Sequence, residues 1–458
     1  MEDNPGLIYC NGVDATTGNY LVDPMSFSEL LMLAQGRVMK PECVYVSHPL
    51  ATKGMLGAFG LEMEDLSSSG WGVMFEPGLP EEVRKALGPL LDLRRRQSGD
   101  LYKEIDILSG ETLDDLLRRH ASIPGHTDPE KLPYYLMLVG NPESTPFFFQ
   151  YRLGIDHAVG RLDLENTDAY AAYAESVVRN EGVQRTKPGS LSFFAPANLG
   201  DPATRMSANH LAAPLADIFK AKKKDWQVKT LFKELATKSA LLDTLQKDQR
   251  PDILFTASHG LGCSNGVPDQ RERQGALVCQ EWRPFYHGSV GTDMVLSAHD
   301  VASLSLDGMI GFHFACFGAG TPALDDFFIG SNETTPARLA PSAFTALLPQ
   351  RMLARGALAV IGHVERAWAT SFSTRGIHSY TGVFRDILLA IANGCPLGHA
   401  VKHFNQRWAA MSLPLVEYQK KLQRKETVNE QEFLNTWVTY HDARNYAVIG
   451  DPAVRLVP

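Results

Sequence analysis

The chain has 458 residues, 44% hydrophobic and 21% charged, which excludes a disordered tract and leaves room for two or three units of domain size. A formal net charge of −8 argues against phosphate-backbone binding as a main task, so no nucleic-acid partner is expected. No apolar run approaches the roughly 20 residues of a membrane span, and the acidic start Met1-Glu2-Asp3-Asn4-Pro5-Gly6 lacks the features of an export signal. Six scattered cysteines are too sparse for a disulfide framework, so a reducing, cytoplasmic setting without membrane association is expected.

In chain order, strands are predicted at Gly6 to Cys10, Cys43 to Ser47, Tyr134 to Val139 and His157 to Leu162. A helix from Asp168 to about Val178 follows, capped by Asn166 or Thr167. We read residues 1–185 as a smaller α/β subdomain. Beyond a break at Lys187-Pro188-Gly189, residues 186–458 form a second subdomain. It opens with a strand, Ser190 to Ala195, a polar loop to Asn209, and helical periodicity over His210 to Lys220 and Val228 to Gln246. The basic run Lys220 to Lys224 reads as a solvated helix face. Then come the apolar run Ile253 to Ala257, a strand from Gly275 to Gln280, and the apolar run Met309 to Phe314. A loop to Pro336, a helix from Pro341 to Arg355, a strand from Ala357 to Gly362, a long amphipathic region and a terminal strand from Tyr446 to Ile449 complete the chain. Strands alternating with helices imply an α/β fold of mostly parallel sheets flanked by helices, in two adjoining subdomains.

The two apolar runs lead into His259-Gly260 and Ala315-Cys316, placing both reactive side chains at a carboxyl sheet edge, where open α/β folds build their sites. A thiolate is the nucleophilic form of cysteine, and an imidazole beside it favours that form and can protonate a leaving amine. Backbone N–H groups of Gly260 and Cys316 are candidates to hold an oxyanion. Cys263, Cys279, His259 and His287 match no common zinc spacing, and no P-loop string occurs, so no metal or cofactor is expected. His313 reads as a buried structural histidine. The polar segment Gly262 to Gln274 reads as a solvated loop, with a mobile flap or a self-cleavage segment as alternatives.

The His to Cys separation of 57 residues, with the Ala-Cys-x-Gly string, resembles the caspase pattern. The order of further segments resembles the gingipain branch of the caspase/gingipain group of cysteine peptidases. These are Leu136 to Gly140, Val159 to Leu162, the Arg366-Ala367-Trp368-Ala369-Thr370 segment, and Val448 to Arg455 with its Gly450-Asp451-Pro452. The resemblance spans about Pro133 to Pro458 and implies a caspase-haemoglobinase fold. It implies Cys316 as nucleophile and His259 as general acid/base, with Phe314, Trp368, Phe372 and Ser371 at the primary specificity pocket.

Two departures from that pattern matter. The acid that orients the histidine falls near Asn198, with Asp201 as a nearby substitute. The acids that hold a basic P1 side chain are absent near Met206 to Asn209 and at Ser371, which predicts a P1 residue other than Arg or Lys. Glu365, Asp325 or Asp326 could restore a basic preference.

The expected activity is therefore a regulated cysteine endopeptidase that cuts a protein or peptide substrate, with a regulatory protein partner, in prokaryotic signalling or defence. The alternative is a catalytically inactive caspase-like module that holds a peptide.

Overall fold

The computed structural model describes residues 7–36, 62–182, 187–284, 288–325, 327, 337–374 and 378–457. The expected strand at Cys43 to Ser47 lies outside these, as do His287 and Asp326. Ten strands join in one sheet: β1 (Trp71–Phe75), β2 (Tyr102–Asp106), β3 (Tyr135–Val139), β4 (Ala158–Leu162), β5 (Ser190–Ala195), β6 (Gln227–Phe232), β7 (Ile253–Ala257), β8 (Ile310–Phe314), β9 (Ala359–His363) and β10 (Tyr446–Gly450). Their order across the sheet is β2-β1-β3-β4-β10-β9-β8-β7-β5-β6. Every neighbouring pair is parallel except β9 with β10. The last strand thus joins two parallel groups that run in opposite directions, and the carboxyl ends of one group lie at the edge opposite those of the other.

The central strands β3, β4, β7, β8, β9 and β10 are buried at every residue, which is why they read as nearly continuous apolar runs. Helices cover them, among them Thr167–Glu181, Gly382–Ala392, Lys402–Gln423 and Glu430–Arg444. The first is capped by Asn166, whose side chain accepts the Ala169 N–H. Inside the sheet, His313 Nδ1 lies 2.9 Å from Thr256 Oγ1 across the β7/β8 register. Burial pushes the His313 imidazole down to about 4, so it stays neutral near pH 7.

Asp451 shows what the Gly-Asp-Pro segment does structurally. Its buried carboxylate accepts from Arg94 Nε at 2.7 Å and Trp71 Nε1 at 2.9 Å, and Arg94 reaches on to Glu181 at 2.6 Å. The terminal strand is thereby tied to the first group of strands.

Two stretches differ from their sequence patterns. Val228 to Gln246 is not one helix: residues 227–232 form the edge strand β6, and the helix covers only Lys238–Thr244, with Thr237 as its cap. On a sheet edge, the half-buried Val228 and Thr230 alternate with the exposed Gln227 and Lys229, a pattern that a helical reading overlooks. The helix expected from Pro341 begins only at Leu347, because Phe344–Thr345 pairs antiparallel with Gly320–Thr321.

Candidate active site

Three adjacent strands deliver the site. In the β7/β8 ladder Ala257 stands opposite Phe314, so His259 and Cys316, each two residues further on, leave the sheet at the same level. On the other side of β7, strand β5 leads to Asp201, which caps the short helix Pro202–Met206.

His259 and Asp201 are both fully buried and meet at 2.8 Å between Nε2 and Oδ2. Asp201 also accepts from Thr204 Oγ1 at 2.5 Å, from the Ala203 and Thr204 N–H groups at 3.1 and 3.2 Å, and from the Tyr20 hydroxyl. Burial alone would raise its carboxyl, but His259 and these hydrogen bonds outweigh that and hold it below the ordinary aspartate value. With Nε2 committed to the carboxylate, Nδ1 is the ring nitrogen that has no hydrogen-bond partner among the described residues. The ring is held edge-on against Trp282 and Tyr20, centroids 5.2 and 5.6 Å away.

Cys316 is fully buried, its Sγ 3.3 Å from the Ala367 N–H and 3.2 Å from Cys10 Sγ. Burial, reinforced by Cys316, pushes the Cys10 thiol well above its ordinary value. The chain turns sharply after the nucleophile candidate: Phe317 has φ +59°, a left-handed conformation strained for an aromatic residue. Gly260 packs so close that a Cβ there would lie 1.8 Å from the Cys316 carbonyl oxygen, so no larger residue fits. The Gly260 and Cys316 N–H groups converge on one acceptor, the Asn11 carbonyl oxygen, at 2.9 and 3.1 Å.

Not every residue singled out by sequence sits in this constellation. Asn198 does not reach the imidazole; its amide donates to the carbonyls of Cys279, Gln280 and Trp282 at 3.0, 3.3 and 2.8 Å, and the carboxylate on His259 is that of Asp201. Phe314 and Phe372 are fully buried, their rings 5.4 Å apart, and Phe314 packs on Phe384 of a flanking helix, so both face the core rather than a groove. The Trp368 ring stacks on Phe327 at 4.5 Å, and its backbone forms an antiparallel bridge with Cys10. Ser371 donates to the buried carboxylate of Asp442.

Glu365 and Asp325 both pair with the buried Arg366. Cys263 and Cys279 lie in separate pairings, and no group of three His, Cys, Asp or Glu side chains among the described residues is placed to hold a metal.

Sequence reasoning missed the place of Tyr9 to Gly12 in the site, the contact of Ser207 within the Met206 to Asn209 stretch, and Asp442. Nothing local marks Asp442, which arrives from a helix 71 positions beyond Ser371. Asp201 carried a usable signal, since an Asp directly before a Pro is a strong helix-start pattern.

The sequence matches no protein-family model and no curated protein. Among solved structures, the chain is similar to the complex of Porphyromonas gingivalis RgpB pro- and mature domains, at 13% identity over 85% of this chain and 81% of that one, TM-score 0.48. It is similar to the Arg-specific cysteine proteinase gingipain R (RgpB) at 12% identity over 85% and 79%, TM-score 0.44. It is also similar to the Saccharomyces cerevisiae separase–securin complex at 12% identity over 70% of this chain and 16% of that one, TM-score 0.34. Gingipain is thus among the solved structures that this chain resembles, as it is in the order of sequence motifs.

Proposed function

We propose that the chain is a cysteine endopeptidase of caspase-like type. The observation that carries this reading is the convergence of two fixed amides, Gly260 and Cys316, on one carbonyl oxygen beside the Cys316 thiol, with a His259–Asp201 pair on the neighbouring strands. Cys316 attacks the substrate carbonyl carbon, and the two N–H groups hold the oxyanion that forms. His259 passes its proton from Nδ1 to the leaving amine, while Asp201 fixes the ring through Nε2 and stabilises its charged form. Water then hydrolyses the thioester. The P1 side chain accepted is not basic, because the acids near the site are engaged: Asp325 and Glu365 by Arg366, Asp442 by Ser371 and the Trp368 N–H.

The setting we propose is cytoplasmic, with a protein substrate and a regulatory protein partner, in signalling or defence. A second reading, a module that holds a peptide without cutting it, is favoured by the Asn11 carbonyl filling both amides. Labelling with a peptidyl electrophile separates them. The enzyme reading expects one adduct on Cys316, lost in Cys316→Ala and His259→Ala; the holding module expects none.

A further inference from the structure

The segment Tyr9 to Gly12 enters the site as a substrate would. Its Asn11 N–H donates to the Ala367 carbonyl at 3.0 Å, the Tyr9 carbonyl accepts from the Ala369 N–H at 3.3 Å, and Cys10 forms an antiparallel bridge with Trp368 between them. That is strand addition to the groove wall. The Asn11 side chain is fully buried, with Nδ2 donating to Ser207 Oγ at 2.8 Å and the Ser258 carbonyl at 3.4 Å. At Gly12 a Cβ would lie 3.0 Å from Cys316 Sγ, so the thiol rests against the residue that follows the Asn11 carbonyl.

A purely structural strand explains part of this. Gly12–Asp14 runs parallel to Gly260–Gly262, and the bond from Gly260 N–H to the Asn11 carbonyl belongs to that ladder. The ladder does not account for the second donor, Cys316 N–H, on the same oxygen, for the antiparallel pairing of the preceding residues, or for the thiol at Gly12.

We infer that Tyr9 to Gly12 is an internal substrate and that the Asn11–Gly12 peptide bond is the first bond this site cuts. The inference rests on the peptidase reading above and deepens it by naming the P1 residue as asparagine. Cys316 gives its thiol proton to His259 and its sulfur bonds to the Asn11 carbonyl carbon, and the bond to the Gly12 nitrogen breaks as that nitrogen takes the proton from the resulting His259 imidazolium. Water then cleaves the thioester, leaving a carboxylate on Asn11 and a free amine on Gly12, with the thiol restored. The P1 site is neutral: Ser207 Oγ donates a hydrogen bond to the Ala203 carbonyl at 3.0 Å and serves as an acceptor for the amide. An aspartate there has no N–H to offer these acceptors, and an aspartate, lysine or arginine would bring a charge into a fully buried position.

The test uses the full chain, incubated at neutral pH and followed by intact mass and amino-terminal sequencing. Expected is a product beginning at Gly12, absent in Cys316→Ala, and formed roughly 100-fold more slowly or worse in Asn11→Asp and Asn11→Lys. Fluorogenic peptides ending in Asn should be cut in preference to their Asp and Arg counterparts by a similar factor.

Cleavage at another bond overturns the inference. So does an uncut chain that still cuts external peptides, and in both cases the peptidase reading stands. If neither the wild type nor Asn11→Lys, whose side chain displaces the segment, cuts any peptide or takes a peptidyl electrophile at Cys316, the peptidase reading fails and the inference with it.

Discussion

The two parallel groups of strands both gather polar residues at their carboxyl ends, and they use them in opposite ways. Beyond β3 and β4, the buried Arg161 gives its guanidinium to the Gly140 carbonyl at 2.9 Å, the Thr145 carbonyl at 2.6 Å and Gln150 Oε1 at 3.0 Å, while Glu76 accepts the Asn141 N–H at 3.0 Å. Burial draws the Arg161 guanidinium down to about 10, and its three acceptors hold three pieces of chain in place. Beyond β5, β7 and β8, the Asp201 carboxylate is engaged, but His259 Nδ1 has no hydrogen-bond partner among the described residues, and the oxygen on the two converging amides comes from a strand laid in from elsewhere in the chain. Polar groups whose bonding is completed by their own neighbourhood build structure. Those left open toward a groove are available for chemistry.

The largest effects on cleavage should come from the open edge. Cys316→Ala and His259→Ala should each lower turnover to background, a loss on the order of 10⁵-fold or more, and the double variant should lose little beyond either one. Steady-state kinetics on a fluorogenic peptide checks this, and additive losses would show that the two do not act as a unit. Asp201→Asn should follow, lowering kcat by roughly 10² to 10⁴-fold, because an amide does not favour the imidazolium as a carboxylate does.

The same aspartate makes a pH prediction. Its carboxyl is held below its ordinary value in the folded chain, so its contribution to stability is present above the unfolded value of about 3.9. That contribution disappears as pH falls through the lower folded value. Urea midpoints measured between about pH 3 and 6 should therefore fall toward acid in the wild type and fall less steeply in Asp201→Asn.

Smaller effects on rate belong to residues that only hold chain. Asn198→Ala removes the hydrogen bonds to the carbonyls of Cys279, Gln280 and Trp282 and should lower stability by about 1–3 kcal/mol while changing kcat less than roughly tenfold. Arg161→Met should cost at least as much stability, about 3 kcal/mol, and leave the kcat of the folded fraction unchanged. A kcat loss in Arg161→Met comparable with that of Asp201→Asn would erase the distinction between the two edges.

The legible part of the site was the part written locally. His259 and Cys316 each end a buried apolar run, and parallel register alone brings them level, so pattern and spacing suffice. The orienting acid was legible only to within a loop, because Asn198 and Asp201 follow the same strand and only the start of the helix at Pro202 decides which one faces the ring. The pocket aromatics were not legible. Whether Phe314 and Phe372 turn to a groove or to Phe384 depends on a helix that packs from far along the chain.

In the fold, β6 was misread because edge strands carry weak, half-polar patterns that helical periodicity imitates. The strand expected at Gly6 to Cys10 covers only the start of the segment Tyr9 to Gly12, whose place in the site is set by distant partners at Gly260, Cys316 and Ala367.

The central claim is that Cys316, His259 and Asp201 form one catalytic unit around the two converging amides. Active-site titration checks this, with a peptidyl ester added to the wild-type chain and to Asn11→Lys, chosen to displace the segment Tyr9 to Gly12, and tandem mass spectrometry locating the acyl group. Expected is a burst of one leaving group per reactive chain, with the acyl group on Cys316, and no burst in Cys316→Ala or His259→Ala. No burst in either chain, or an acyl group found on Cys10 or another residue in place of Cys316, would contradict it.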